Sequence, residues 1–180
     1  MAYRTPGSVL FRYVPGVGKV AAIDCGGSSA TSTLATAYST SDQSLTAGTA
    51  TLVRHDVVGF SYGITTTTGL SGSFTVPATG TYKIVPSLQC FGSGNGNIII
   101  WLKVNGTNVP DSATSTAFKT NDEVVITCEY FLELNGGDTI QVWAEALLAN
   151  CTIDYIAAGG AGANAYPGAP GVITNIQRLR

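Results

Sequence analysis

Apolar and polar residues alternate along most of the chain from Thr49 onward, in short segments separated by turn residues. The even-numbered residues are apolar in 98–104, in 124–134 and in 140–144. Because successive side chains of a strand point to opposite faces, each segment is predicted to be a strand with one face in a core. No stretch of ten or more residues shows the 3.6-residue apolar period of a helix. The pattern predicts an all-β sandwich or barrel.

The even-numbered positions of these segments, together with a similar row around Tyr82, form the predicted core. We expect burial of Tyr82, Ile84, Ile100, Leu102, Ile126, Tyr130, Leu132 and Val142. Cys90 and Cys128 fall in the same rows, where a cysteine packs as a small apolar residue. Asn105-Gly106 predicts a two-residue hairpin turn, since both central residues of that turn need a positive φ.

The odd-numbered positions of the same strands carry large apolar side chains, although alternation assigns them to the outside. Aromatic residues gathered on neighbouring strands indicate an interface with another protein. We therefore predict an oligomer interface formed by Ile99, Trp101, Phe131 and Trp143. Cover by the N-terminal segment or by a loop of the same chain is the alternative.

Residues 1–48 differ from the rest because they are rich in Gly, Ser and Thr. Such a segment offers little apolar area to offset its ordering entropy. We predict an extended N-terminal arm over 1–48 and a single jelly-roll domain over 49–180. The arm is expected to reach a neighbouring protein and to be anchored by one of its apolar clusters, Val9, Leu10, Phe11 and Tyr13.

Charge is sparse in this chain and excludes one class of partner. Asp, Glu, Lys and Arg make up 11% of the residues, against about 25% in an average soluble protein. The net charge is −2, and the nine basic residues are scattered. Nucleic-acid binding needs clustered cations that release counterions from phosphates, so nucleic acid is excluded as the main partner. The low charge favours burial against other protein.

The N-terminal residues do not match a secretory signal, because the apolar run Val9-Leu10-Phe11 is broken at Arg12. No apolar run approaches the roughly 20 residues that a membrane-spanning helix needs. We expect a chain without a membrane span that is made in a cytoplasm, with its four cysteines reduced. The sequence contains no Cys-x-x-Cys pair, so a zinc site is not expected.

Catalytic motifs are absent from the sequence. His55 is the single histidine, and no Gly-x-Ser-x-Gly nucleophile motif accompanies it. We interpret His55 as an ordinary strand-edge histidine and predict that the protein is not an enzyme; a hydrolase that uses His55 is a minor alternative. No cofactor is predicted. A calcium site in the loops remains open, because hard cations need only oxygen ligands, and its candidates are Asp111, Asp122, Glu123 and Asp138.

Three segments resemble one family when they are taken together. They are Gly72–Ile84 (GSFTVPATGTYKI), Phe131–Trp143 (FLELNGGDTIQVW) and the apolar last strand from Val172. They are similar to the jelly roll of the tumour-necrosis-factor and complement globular-head superfamily, over about residues 50–180. The resemblance implies an antiparallel two-sheet jelly roll that forms compact trimers and acts by binding.

The chain departs from that superfamily because it has no collagen-like or coiled-coil stalk and no export signal. We therefore expect a structural protein of a virus particle, in an outer capsid, vertex or fibre-head position and made in the host cytoplasm. Its partners would be copies of itself, as a trimer or a pentamer, and other capsid proteins. The alternative is a trimeric receptor- or carbohydrate-binding head, in which loops such as 92–97 or 108–120 contact the ligand.

Overall fold

A computed structural model describes residues 33–161 and 165–180 in full, and the backbone alone of 10–14 and 18–23. The chain divides into two compact units, Met1–Ser32 and Thr33–Arg180. In the first unit, β1 (Leu10–Val14) pairs antiparallel with β2 (Gly18–Ile23). An extended arm was predicted here, but aromatic and β-branched residues in both segments favour strand pairing instead.

The predicted arm anchor is only partly covered by this description. Val9 lies outside the described residues. Leu10, Phe11 and Tyr13 belong to β1, where the backbone alone is described. Anchoring of the arm by these four side chains therefore stays a prediction.

The second unit is built almost entirely from strands, with one short 3-10 turn at Gly69–Ser71. Within its described residues the strands are β3 (Leu34–Ser39), β4 (Gln43–Leu45), β5 (Thr51–Leu52), β6 (Val57–Tyr62), β7 (Thr65–Thr67), β8 (Ser73–Thr75), β9 (Gly80–Gly92), β10 (Gly96–Val104), β11 (Thr107–Asn108), β12 (Thr114–Phe118), β13 (Glu123–Thr127), β14 (Tyr130–Leu134), β15 (Thr139–Leu147), β16 (Cys151–Ile153) and β17 (Val172–Arg178). The predicted all-β architecture is confirmed.

The strands form two antiparallel sheets. Sheet I contains β5, β7, β8, β10, β11, β12 and β15, with β10 and β15 at its centre. Sheet II contains β3, β4, β6, β9, β13, β14, β16 and β17, and the long strand β9 runs through it. Antiparallel pairing between strands distant in sequence, such as β9 with β17, gives the sandwich the connectivity of a jelly roll.

The core lies between the sheets and follows the predicted rows. Ile100 and Leu102 of β10 are fully buried, as are Tyr82 and Ile84 of β9. Val142 and Ile126 are buried as predicted, and so are the predicted inward-facing Cys90 and Cys128. Tyr130 and Leu132 are only partly buried and pack against the edge of the core.

The predicted strand over 124–134 is divided into β13 and β14, which both pair with β9. The interruption at Cys128 and Glu129 lies opposite the segment of β9 that contains Pro86. The Cys128 N–H donates to the Pro86 carbonyl at 3.1 Å. Pro86 has no N–H to return, so the ladder loses a bond at this point.

The sandwich begins before the predicted boundary at residue 48. β3 pairs with β17, and β4 pairs with β16, so residues assigned to the arm are strands of sheet II. Ala35, Ala37 and Leu45 point into the core and are almost completely buried. The small volume of the two alanines, among Ser and Thr, makes the alternation weak in the sequence. The extent of the N-terminal segment is thus 1–32 in the structure.

At one end of the sandwich, two positions must be glycine because neighbouring groups approach their backbone closely. A Cβ on Gly92 would lie 2.4 Å from the Phe118 ring, and one on Gly96 would lie 2.3 Å from the Leu147 carbonyl oxygen. No side chain fits at either place. The predicted turn at Asn105-Gly106 is confirmed, with φ of 51° and 80°.

Two leucines test the assignment of the core. Leu102→Ala removes a fully buried side chain between the sheets and should lower the free energy of unfolding by about 2–5 kcal/mol. Leu132→Ala, at the partly exposed edge of the core, should cost clearly less, because solvent already reaches the site. Denaturant titration of both variants measures the difference. Equal losses would contradict the described packing.

Candidate functional site

The outer face of sheet I centres on a pair of tryptophans. Trp101 of β10 lies directly opposite Trp143 of β15, and Leu52 of β5 continues the same row. The two indole rings have centroids 6.4 Å apart and planes inclined by 31°. Ile99 lies in the next row, opposite Glu145. The structure therefore brings together three of the four predicted interface residues.

Each indole is held in place by a neighbouring polar group. The Trp101 Nε1–H donates to Asn108 Oδ1 at 2.9 Å, and the Trp143 Nε1–H donates to Gln141 Oε1 at 3.3 Å. The Lys103 ammonium lies 3.6 Å from the centroid of the Trp143 ring, in a cation–π contact. These contacts keep both rings partly exposed in fixed orientations.

Phe131 does not belong to this face, which corrects the prediction of a single aromatic interface. Its strand, β14, pairs with β9 and therefore lies in sheet II. Alternation correctly placed Phe131 opposite the core, but the outside of sheet II is the other side of the sandwich from the tryptophans. Whether any of the four residues contacts a second subunit stays a prediction.

The outer face of sheet II has its own aromatic cluster. One row of directly paired residues crosses five strands, in the order Tyr62, Leu34, Gln177, Lys83 and Phe131. Phe60 lies in the adjacent row of the same face, with its ring centroid 6.0 Å from that of Tyr62.

Several apolar side chains on this face are unusually exposed. The exposed fraction is 41% for Phe60, 61% for Tyr62, 56% for Phe131 and 64% for Val125. We call these four residues the sheet II cluster; they share one face, although Tyr62 and Phe131 lie four strand spacings apart. Sequence analysis identified Phe131 alone, because the strand carrying Phe60 and Tyr62 contains Gly59 and Ser61, which weaken its pattern.

A shallow groove of about 120 Å³ opens beside the cluster. Its lining includes Leu34, Phe60 and Val85, whose side chains are apolar. An enclosed apolar cavity of about 150 Å³ can take up benzene; the groove is somewhat smaller and open to solvent, so it can receive the edge of one aromatic ring.

Two pairs of opposite charges lie on the sheet II face near Phe131. Lys83 forms a salt bridge with Glu129 at 2.6 Å, and its ammonium also lies 5.9 Å from the Phe131 ring centroid. Arg180 lies 3.4 Å from Glu133 at one end of the face. A surface with compensated charges can be covered by another protein without leaving an unpaired ion.

His55 is a buried core residue and not the strand-edge histidine that was predicted. It lies between β5 of sheet I and β6 of sheet II and is 0% exposed. Its Nε2 is 2.8 Å from the Thr174 hydroxyl on β17, and its ring packs edge-on against Phe74 of β8 at 5.2 Å. Nδ1 has no hydrogen-bond partner among the described residues.

Burial gives this ring no role in hydrolysis. Desolvation lowers the pKa of His55 to about 4, although the neighbouring Asp56 carboxylate opposes that shift. The Asp56 carboxylate faces away and accepts hydrogen bonds from Thr40 N, Ser41 and Ser39. Burial raises the pKa of Asp56, but these hydrogen bonds outweigh it and lower the pKa overall. No substrate can reach the imidazole.

The carboxylates proposed for a calcium site are largely engaged in turns. Asp138 accepts from the Asn105 side chain and the Asn135 N–H, and Asp122 accepts from the Lys119 N–H. Across residues 33–161 and 165–180, no three His, Cys, Asp or Glu side chains are grouped so as to hold a metal ion.

The remaining sequence predictions concern thiols, loops and a membrane span. Cys90, Cys128 and Cys151 are free and buried, whereas Cys25 lies outside the described residues. The segment 108–120, expected to be a ligand-contacting loop, contains β12, which pairs with β10. No helix in the described part of the chain is long and apolar enough to cross a membrane.

Solved structures share this arrangement of strands. The chain is similar to an Eiger TNF from S. frugiperda, with a TM-score of 0.53, 12% identity, and coverage of 83% of this chain and 93% of that one. The globular domain of zebrafish complement 1qA protein matches with a TM-score of 0.50, 12% identity, and coverage of 82% and 98%. Murine APRIL matches with a TM-score of 0.50 and 12% identity, and the match covers 82% of this chain and 99% of that one.

The fold is that of the TNF- and C1q-like jelly rolls. The likeness agrees with the resemblance in the sequence, and at 12% identity it establishes the fold. No family model and no curated protein matches the sequence.

The buried histidine makes a prediction about acid stability. The unfolded chain takes up a proton at His55 near pH 6.5, whereas the folded chain resists it until about pH 4. The contribution of His55 to the free energy of unfolding is therefore fully present above pH 6.5. It is lost as the pH falls from 6.5 to 4, and the loss is about 3 kcal/mol. Denaturant titrations at pH 7 and pH 4 measure the loss.

His55→Gln is the matched control, because glutamine can still contact Thr174 but does not titrate. The variant should lose less stability between pH 7 and pH 4 than the wild type, by about the same 3 kcal/mol. An identical pH dependence in both proteins would show that His55 is not the titrating group.

Proposed function

We propose that the chain is a non-enzymatic jelly-roll head that assembles with copies of itself into a closed homo-oligomer through the outer face of sheet II. The observation that carries the proposal is the sheet II cluster beside the apolar groove. Exposed aromatics gathered on one face mark protein–protein contacts more strongly than scattered ones do.

The geometry suits a contact between unlike parts of the same face. An aromatic ring of the cluster on one subunit can enter the groove lined by Leu34, Phe60 and Val85 on the next. Such a head-to-tail contact generates a ring when the rotation closes. A trimer is our first expectation, because compact trimers are what the family resemblance implies, and a five-fold ring is the alternative.

The available burial is large enough to drive association. Phe60, Tyr62 and Phe131 are about half exposed, and an aromatic side chain buries about 150–250 Å². Completing their burial removes roughly 300 Å², which is worth about 7 kcal/mol before association costs. The paired charges beside Phe131 leave no unpaired ion in the contact, and the cost of desolvating them is set against this gain.

Within this assembly we propose a structural role in a virus particle, in the outer capsid, a vertex or a fibre head, with synthesis in the host cytoplasm. The low charge of 11% and the scattered basic residues support an outer position away from the genome. A trimeric receptor- or carbohydrate-binding head is the second candidate, supported by the partly exposed tryptophans of sheet I.

The assembly face is tested with the double variant Phe60→Glu/Phe131→Glu. Two carboxylates in the contact would be desolvated without partners, so the variant should be a folded monomer while the wild type is an oligomer. Native mass spectrometry measures the mass, and circular dichroism checks the fold.

Leu70→Glu is the matched control, because Leu70 is 84% exposed on the 3-10 turn and lies outside the sheet II face. It should assemble like the wild type. A double variant that keeps the wild-type mass would place the interface elsewhere.

The particle role has its own test. Peptide mass spectrometry of gradient-purified particles should detect the chain together with the other capsid proteins. Its absence from particles that contain those proteins would contradict the virion assignment and leave assembly of the head unaffected.

A further inference from the structure

The two tryptophans of the chain lie side by side on a face of mixed character, with Leu52 and Ile99 beside them as well as polar residues. They are the only tryptophans in the sequence, and they form one cross-strand pair on sheet I. The row beside them contains Lys103 and Gln141, and the row on the other side contains Ile99 and Glu145. This surrounding differs from that of the sheet II cluster, where apolar residues line a groove.

We propose that the Trp101–Trp143 pair is a binding platform for an uncharged carbohydrate. A pyranose ring has an apolar C–H face, which packs on an indole, and a rim of hydroxyl groups, which both donate and accept hydrogen bonds. The platform offers the first mainly through the Trp101 ring, because the Lys103 ammonium covers one face of the Trp143 ring. To satisfy the sugar hydroxyl groups, it must also offer hydrogen-bond donors and acceptors around the rings.

Donors and acceptors are present on opposite sides of the rings. Asn108 is exposed and uses its Oδ1 to accept from Trp101, which leaves its amide nitrogen as a donor. The Lys103 ammonium lies over Trp143 and supplies further N–H donors. Glu145, two residues after Trp143 on β15, points to the same face and supplies acceptor oxygens.

The balance of charge selects an uncharged ligand. Lys103 and Glu145 flank the pair and cancel each other, and neither takes part in a salt bridge among the described residues. An anionic or cationic ligand would meet one repelling group for each attracting one. A protein partner fits less well, because Lys and Glu are depleted in the cores of protein interfaces.

Orientation of the rings is already fixed before binding. The hydrogen bonds to Asn108 and Gln141 and the contact with Lys103 hold the indoles in place. Ordering the indoles therefore adds little entropy cost to binding, which matters for a small sugar that binds weakly. The inference concerns sheet I alone and stands whether or not sheet II forms the assembly face.

The intrinsic fluorescence of the protein tests the proposal directly, because both of its tryptophans lie in the platform. The probes are neutral oligosaccharides of glucose, mannose, galactose and N-acetylglucosamine, with oligogalacturonate as the anionic comparison. At least one neutral probe should give a saturable change of emission with a Kd of about 10 mM or lower, a value typical of weak ligands. The neutral response should be unaffected by salt, because no ion pair forms.

Variants assign the response to the platform. Trp101→Ala and Trp143→Ala should each weaken binding of the responding probe by about tenfold or more in calorimetric titration. Leu148→Ala is the matched control, because Leu148 is 89% exposed just beyond the end of β15 and belongs to neither the platform nor the sheet II cluster; it should bind like the wild type.

Three results would overturn the proposal. They are the lack of a saturable response to every neutral probe, wild-type binding by both tryptophan variants, and stronger binding of the anionic probe than of any neutral one. Native mass measured on the same samples separates this outcome from the assembly proposal. A loss of oligomer in the tryptophan variants without sugar binding by the wild type would identify the face as a subunit contact.

Discussion

Close packing of the two sheets through β9, β10 and β15 determines which side chains lie on the outer faces of the sandwich. Ile100, Leu102 and Val142 fill the space between the sheets together with Ile84, and all are fully buried. Because side chains alternate along a strand, burying these residues obliges their neighbours to point outward. The tryptophan pair and the sheet II cluster are therefore consequences of the core, on opposite sides of the same sandwich.

Alternation in the sequence was sufficient to predict the core rows and the outward direction of Trp101, Trp143 and Phe131. It could not predict which sheet a strand joins, because that depends on pairing between distant strands, such as β14 with β9. The same limit hid the start of the sandwich. Small residues such as Ala35 and Ala37 are buried only because β17 pairs with β3.

His55 shows how tertiary structure can reverse a local interpretation. Its neighbours in sequence, Arg54 and Asp56, are exposed, which favours an exposed histidine as well. The chain nevertheless crosses from sheet I to sheet II at this point, and the crossing carries the ring between the sheets. There it contacts Thr174 from one sheet and Phe74 from the other. The closed sheets therefore favour the neutral imidazole at this end.

The separation of the two outer faces has a functional consequence. A ring assembled through sheet II leaves the sheet I face of each subunit uncovered by that contact. Identical platforms on one rigid ring can then engage a repeated ligand together, and the second contact benefits from a high effective concentration. A site that holds a single sugar only weakly becomes effective on a glycan-coated surface when several copies act at once. The two proposals, assembly on one face and recognition on the other, are therefore compatible in one sandwich.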